Sequence, residues 1–211
     1  MSRREQEIVA THEAGHAVVA SVLPGLDPVH KISIVQRGYE ALGHTLQLPL
    51  EERHLRTRES LRHQLAVWLG GRAAEKLAFQ DVSTGGHHDL RQATDMARAM
   101  VGELGMSDAI GPVAVTTTRR APFLAVPGIE HGDTIAEQTA REVDLEVKRL
   151  MTEAESLALQ TLREHRVTLD AVARLLLERE VVTGDDVRRL LDAEQTRKSP
   201  AAAAALQPAS A

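Results

Sequence analysis

Two histidines and a glutamate near the amino terminus have the types and the spacing that a catalytic metal site requires. His12, Glu13 and His16 lie in the run T-H-E-A-G-H-A-V-V-A. Four residues of α-helix make slightly more than one turn, so both histidines project from one face and can each give a ring nitrogen to Zn²⁺. Glu13 stands where its carboxylate can reach a water bound to the metal and accept its proton. The pattern H-E-x-x-H therefore predicts a hydrolytic zinc site with Glu13 as catalytic base.

The same pattern also occurs by chance in surface helices, where a glutamate and two histidines are simply solvated. The residues on either side of the motif argue against that interpretation. They are almost wholly apolar and include Val9, Ala10, Ala14, Ala17, Val18, Val19, Ala20 and Val22. A helix of this composition is buried on most sides, and buried imidazoles and carboxylates need partners, which a metal provides.

A catalytic zinc takes three protein ligands and keeps one position open, so a third ligand must come from elsewhere. The chain has no cysteine, which limits the choice to histidines and carboxylates. Chemistry alone leaves Glu75 and Asp89 as equal candidates, with His87 and His88 behind them. Position favours Asp89, because a flexible Gly-Gly pair precedes its helical turn and lets that turn approach the metal. Glu75 would then accept the other ring N–H of a ligand histidine.

Composition bounds the class of protein. The chain has 211 residues, of which 43% are hydrophobic and 26% charged, as in an ordinary globular protein. Its net charge of −5 gives no reason to expect nucleic acid as a partner. We find no signal peptide and no apolar run long enough for a transmembrane segment. These features, with the absence of cysteine, lead us to expect a soluble, cytoplasmic protein.

Periodicity predicts a mainly α fold with a small β-hairpin. Helical spacing covers about residues 4–23, 58–79, 88–104, 134–164 and 168–180, and Thr183 is a candidate N-cap for a further short helix. Alternating segments near 32–36 and 42–48, with a turn at 37–38, predict the hairpin. Gly70 and Gly71 interrupt the second helix, for which a close helix contact is the best reason.

These elements predict one domain over residues 1–194, followed by a disordered Ala-rich tail over 195–211. Within the domain we expect a catalytic core over about 1–106, a mobile loop over about 107–132 and C-terminal helices over about 133–194.

Several further motifs follow in a fixed order, among them K-I-S-I-V-Q-R-G-Y-E-A-L-G-H-T-L-Q-L-P, L-G-G-R-A-A-E-K-L-A-F and S-T-G-G-H-H-D-L-R-Q-A-T-D. With the H-E-A-G-H run, this order resembles the peptidase domain of FtsH-type membrane-anchored, ATP-dependent zinc proteases, over about residues 5–192. The resemblance implies a helical, zincin-like peptidase domain with Zn²⁺ on His12, His16 and Asp89. It also implies that Glu13 is the base and that Glu75 supports a ligand histidine.

The resemblance implies a mode of substrate binding and an assembly as well. The segment Leu42, Gly43, His44, Thr45 and Leu46 matches the edge strand at the family's active-site cleft. An unfolded polypeptide could add to this strand through main-chain hydrogen bonds. The family forms hexameric rings, so a homo-oligomer is expected here.

The chain also departs from the family's pattern. It has no transmembrane segments and no G-x-x-x-x-G-K-[ST] phosphate loop, so it should not hydrolyse ATP. His87 and His88 replace the smaller or polar residues usual before the ligand aspartate.

The favoured hypothesis is therefore a zinc-dependent metalloendopeptidase acting on unfolded or loosely folded proteins. The alternative is a non-catalytic or partner-dependent subunit that binds unfolded segments and needs an ATPase in trans. A structural zinc protein is a third hypothesis, and it would require His87 or His88 as a fourth ligand.

Overall fold

The computed structural model describes residues 1–35, 43–48, 55–115 and 135–198. The helices in these ranges are α1 (Arg3–Val22), α2 (Arg58–Phe79), α3 (His87–Gly102), α4 (Glu137–Glu164), α5 (Arg166–Arg179) and α6 (Gly184–Lys198). The strands are β1 (Val29–Ser33), β2 (His44–Gln47) and β3 (Val181–Thr183). The predicted class, mainly α with a small sheet, is confirmed.

Helix α1 lies at the centre of the core. It begins with a capping box, in which the Ser2 hydroxyl accepts the Glu5 N–H and the Glu5 carboxylate accepts the Ser2 N–H. Every residue from 9 to 20 is buried, including the polar ones, and the helix packs mainly on α2 and α5. The apolar segment around the motif is thus enclosed on most sides, as its composition predicts.

The two glycines of α2 mark a close contact with α1, as predicted. A Cβ placed on Gly15 would lie 2.5 Å from the Gly70 carbonyl oxygen and 2.6 Å from the Ala74 Cβ. A Cβ on Gly70 would lie 3.1 Å from the Gly15 oxygen. Because the helix backbones meet here, the histidines of α1 lie directly against α2.

The sheet is antiparallel and has the order β2-β1-β3, which leaves β2 at one edge. Strand β1 pairs with β2 through Ile32↔Thr45 and Ser33↔His44, and with β3 through Ile32↔Val182. The hairpin partners were predicted, but β3 was not. Leu42 and the predicted turn at 37–38 lie outside the described residues.

One of the carboxy-terminal boundaries needs a correction. Thr183 caps α6 as predicted, with its hydroxyl accepting the Asp186 N–H and its own N–H donating to the Asp186 carboxylate. However, α6 continues to Lys198 instead of ending at 194, so the tail predicted from 195 begins too early. The last turn is joined to the rest of the fold by Lys198, whose ammonium group contacts the Glu164 carbonyl oxygen and lies 2.9 Å from Glu194 Oε1. Residues 199–211 lie outside the described ranges.

The segment predicted as a mobile loop is anchored at its beginning. Ser107 is buried, and its hydroxyl donates to Glu146 Oε1 on α4 at 2.8 Å. Residues 103–115 are otherwise non-helical, and 116–134 lie outside the described ranges. In the described part of the chain, no helix combines the length and the apolar character that crossing a membrane requires.

Candidate metal centre and catalytic base

Three predicted ligands converge from two helices. His12 and His16 project from α1, and Asp89 lies in the first turn of α3. Asp89 Oδ2 lies 3.2 Å from His12 Nε2 and 3.5 Å from His16 Nε2. One ligand atom from each of the three residues lies within 4.8 Å of the others. Within the described ranges, this is the group of histidines and carboxylates that is arranged to hold a metal ion.

The second nitrogen of each histidine is already engaged. His12 Nδ1–H donates to Glu75 Oε1 at 2.6 Å, and His16 Nδ1–H donates to the Val67 carbonyl oxygen at 2.7 Å. Such partners fix the tautomer, so that the lone pair of the neutral ring is on Nε2. Both Nε2 atoms thus have a lone pair available to bind a metal, and both lie on the side of Asp89.

This donor set fits a zinc ion. Ligand atoms about 2.0–2.2 Å from a tetrahedral Zn²⁺ lie about 3.3–3.6 Å from one another. The two histidine–aspartate separations, 3.2 and 3.5 Å, match that spacing. Two neutral imidazoles and one carboxylate are also ligands that zinc commonly takes.

Glu75 is held as firmly as the histidine it supports. Its side chain is 2% exposed, and its carboxylate accepts the Ser83 N–H at 2.5 Å and the Ser83 hydroxyl at 3.1 Å. Glu75 therefore joins α1 and α2 to the turn that precedes α3. Ser83 lies in the S-T-G-G motif, but no local pattern in the sequence connects it with Glu75.

The pKa values of His12 and Asp89 are strongly shifted in the metal-free site. Burial by itself lowers the pKa of His12, but hydrogen bonds with Asp89 and Glu75 outweigh burial and raise that pKa to about 9. Burial by itself raises the pKa of Asp89, but hydrogen bonds with the two histidines hold it well below its usual range. The carboxylates thus favour a positive charge between them, which a cation can supply in place of a proton.

Two glycines leave room for the His12 ring. A Cβ on Gly71 would overlap the ring, lying 2.5 Å from both Cδ2 and Cε1. A Cβ on Gly86 would lie 3.2 Å from His12 Cε1. Gly71 was noted in the sequence only as a sign of close helix packing, and the structure shows that the packing partner is an imidazole.

The predicted base lies beside the ligands and touches β2. Glu13 is 6% exposed, and its Oε2 accepts a hydrogen bond from the Thr45 hydroxyl at 2.7 Å. The sequence placed Gly43, His44, Thr45 and Leu46 on an edge strand but gave no reason to connect Thr45 with Glu13. His87 and His88 are both exposed and do not belong to the metal-binding group in the described residues.

The fold and the site together define a class of protein. It is a mainly helical domain in which an H-E-x-x-H helix and a carboxylate from a second helix form a potential zinc site. Comparison with known proteins gives the family: the chain belongs to Peptidase family M41, which it matches over residues 1–190. The resemblance to FtsH-type proteases is thereby confirmed.

Three bacterial relatives show how far the similarity extends. All three are named ATP-dependent zinc metalloprotease FtsH. The one from Pseudothermotoga lettingae is 47% identical over 92% of this chain and 31% of the relative. Those from Methylococcus capsulatus and Thermotoga maritima are 46% and 44% identical, over 89% and 92% of this chain and 29% and 32% of the relatives. The chain thus spans about a third of the length of the curated relatives it matches.

Proposed function

We propose that this chain is a zinc-dependent metalloendopeptidase that hydrolyses peptide bonds in unfolded or loosely folded polypeptides. One observation carries the proposal: the Nε2 atoms of His12 and His16 face Asp89 Oδ2 while both Nδ1 atoms are engaged elsewhere. This arrangement, with a buried carboxylate next to it in sequence, matches the requirements of a hydrolytic zinc site.

In this proposal His12, His16 and Asp89 hold the zinc, and Glu75 orients His12. When bound, zinc supplies Lewis acidity, which polarises the scissile carbonyl and lowers the pKa of water. Glu13 accepts a proton from the attacking water on a carboxylate oxygen and passes it to the nitrogen of the leaving amine.

Substrate binding is assigned to the edge of the sheet. In the described residues β2 pairs with β1 on one side, which leaves its other edge able to pair with an extended peptide. Main-chain pairing of this kind requires an unfolded segment and is tolerant of side-chain identity. We therefore expect the bound peptide to be lined by Gly43, His44, Thr45 and Leu46. Leu42 is included on the basis of the sequence alone, because it lies outside the described residues.

The proposal is tested by hydrolysis of casein and of an unfolded peptide by the wild type and Glu13→Gln. Glutamine has nearly the same shape but cannot accept the proton, so we expect activity in the wild type alone. Zinc is determined in both samples, and equal content shows that the substitution spares the ligands. Hydrolysis by a zinc-loaded Glu13→Gln variant at the wild-type rate would overturn the assignment of Glu13.

A partner-dependent subunit is the second candidate, and the names of the relatives favour it, because they include the words ATP-dependent. In this candidate the ATPase activity comes from outside these 211 residues, which carry no G-x-x-x-x-G-K-[ST] motif, and an ATPase in trans is one such source. Zinc in both samples with activity in neither would support this candidate. A hexamer, proposed from the family resemblance, is checked by the mass of the particle in solution.

A further inference from the structure

The Glu13 carboxylate lies on helix α1 and accepts a hydrogen bond from the sheet. Thr45 Oγ1 on β2 lies 2.7 Å from Glu13 Oε2 and 3.3 Å from the Glu13 carbonyl oxygen. A hydroxyl has one hydrogen to donate, and a carboxylate is the stronger acceptor. The shorter contact is therefore the hydrogen bond that counts, and it directs the Thr45 hydroxyl at the side chain of the proposed base.

Gly43, the residue before β2, also packs closely on the Glu13 side chain. Gly43 immediately precedes β2, and its position, like that of Thr45, faces Glu13. A Cβ on Gly43 would lie 2.7 Å from Glu13 Oε1 and 2.9 Å from Glu13 Cγ. The absence of a side chain at Gly43 thus lets β2 approach closely enough for Thr45 to reach the carboxylate.

We infer that Thr45 is a positioning residue, which fixes the Glu13 carboxylate in the orientation that proton transfer requires. The inference rests on the proposed function of Glu13 as the base. In the described residues Thr45 is the hydroxyl that bonds this carboxylate, and its loss removes the hydrogen bond that selects one carboxylate orientation. Strand β2 then has two roles, since its outer edge is available to a peptide and its inner face holds the base.

The test compares Thr45→Val with Thr45→Ser. Valine keeps the β-branched shape and the strand preference and replaces the hydroxyl by a methyl group. We expect kcat for an unfolded peptide to fall about tenfold to a hundredfold in Thr45→Val, because a misplaced catalytic group loses rate steeply. KM should stay within about twofold, since the peptide pairs with the backbone of β2. Thr45→Ser should restore most of the lost rate.

Thr152→Val is the matched control. Its hydroxyl donates to the Lys148 carbonyl oxygen on the exposed side of α4, so the same chemical change there should leave kcat unchanged. Zinc content is measured in every variant and should be equal. A wild-type kcat in Thr45→Val would overturn the inference, and so would an equal loss in Thr45→Ser.

A second readout does not depend on activity. Crystal structures of the three zinc-loaded proteins should show the Glu13 carboxylate fixed against residue 45 in the wild type and in Thr45→Ser, but not in Thr45→Val. The same carboxylate position in Thr45→Val would refute the role of Thr45. If the zinc-loaded wild type hydrolyses nothing, the proposed function fails, and the crystal structures alone decide whether Thr45 positions Glu13.

Discussion

Replacing Gly71 by alanine would place one methyl group against the His12 ring. Its Cβ would lie 2.5 Å from Cδ2 and Cε1 and would also overlap Nε2. Carbon atoms in contact are about 3.5–4.0 Å apart, so the ring or the α2 backbone must move by about 1 Å. The methyl group comes from the helix backbone and cannot rotate away, whereas the imidazole can be displaced only by disturbing its hydrogen bonds.

The expected size of the effect follows from what the ring touches. A shift of this size would stretch the 2.6 Å contact of His12 Nδ1 with Glu75 and move Nε2 relative to Asp89. Disturbing the support of a ligand histidine typically lowers metal affinity about 10- to 100-fold. Overpacking costs about 1–3 kcal/mol, while alanine in place of a helical glycine contributes about 1 kcal/mol of stability. The metal-free chain should therefore lose only about 0–2 kcal/mol of unfolding free energy.

Zinc affinity is measured by competition with a chromophoric chelator, and stability by urea unfolding of the metal-free chain. Gly70→Ala is the matched control, because its Cβ would lie 3.1 Å from the Gly15 oxygen and its nearest neighbours include no atom of His12. We expect Gly70→Ala to keep a zinc affinity close to that of the wild type. Wild-type zinc affinity in Gly71→Ala would refute the reasoning, as would an equal loss of affinity in Gly70→Ala.

Two further predictions concern protons. The pKa of His12 is raised to about 9 in the metal-free site, so zinc should displace about one proton at pH 7, and zinc affinity should rise with pH up to about 9. Calorimetry in buffers of different ionisation enthalpy measures the number of protons released. A measured release of zero protons would contradict this prediction. The Arg149 hydrogen bond lowers the pKa of buried Glu146, so this carboxylate stabilises the fold above its unfolded pKa of about 4.3, and the contribution is lost as pH falls through the lower folded pKa. The Glu146→Gln variant should therefore have a lower urea midpoint of unfolding than the wild type at pH 7, and the difference between the two midpoints should be smaller at pH 3. An equal difference at both pH values would contradict this assignment.

The helices were predictable because their signals are local. Helix α2 has the predicted bounds of 58–79, since Thr57 caps its start and its apolar spacing continues for 22 residues. Strand β3 has only three residues, too few for a pattern of alternation. It exists because Val182 pairs with Ile32 across about 150 residues of chain, a contact that no local pattern encodes. The link between Thr45 and Glu13 was missed for the same reason.

The choice between Glu75 and Asp89 shows which information the sequence lacked. Both are acidic residues, so residue type alone leaves them equivalent, and only the Gly-Gly pair before Asp89 favoured that residue in the sequence. They differ in the His12 ring nitrogen they meet: Glu75 lies 2.6 Å from Nδ1, and Asp89 lies 3.2 Å from Nε2. Asp89 alone is also near His16 Nε2, so only Asp89 can share a metal with both histidines. Contact between α1 and α2 at their glycines determines which face of α1 lies against Glu75, and that contact is a property of tertiary packing.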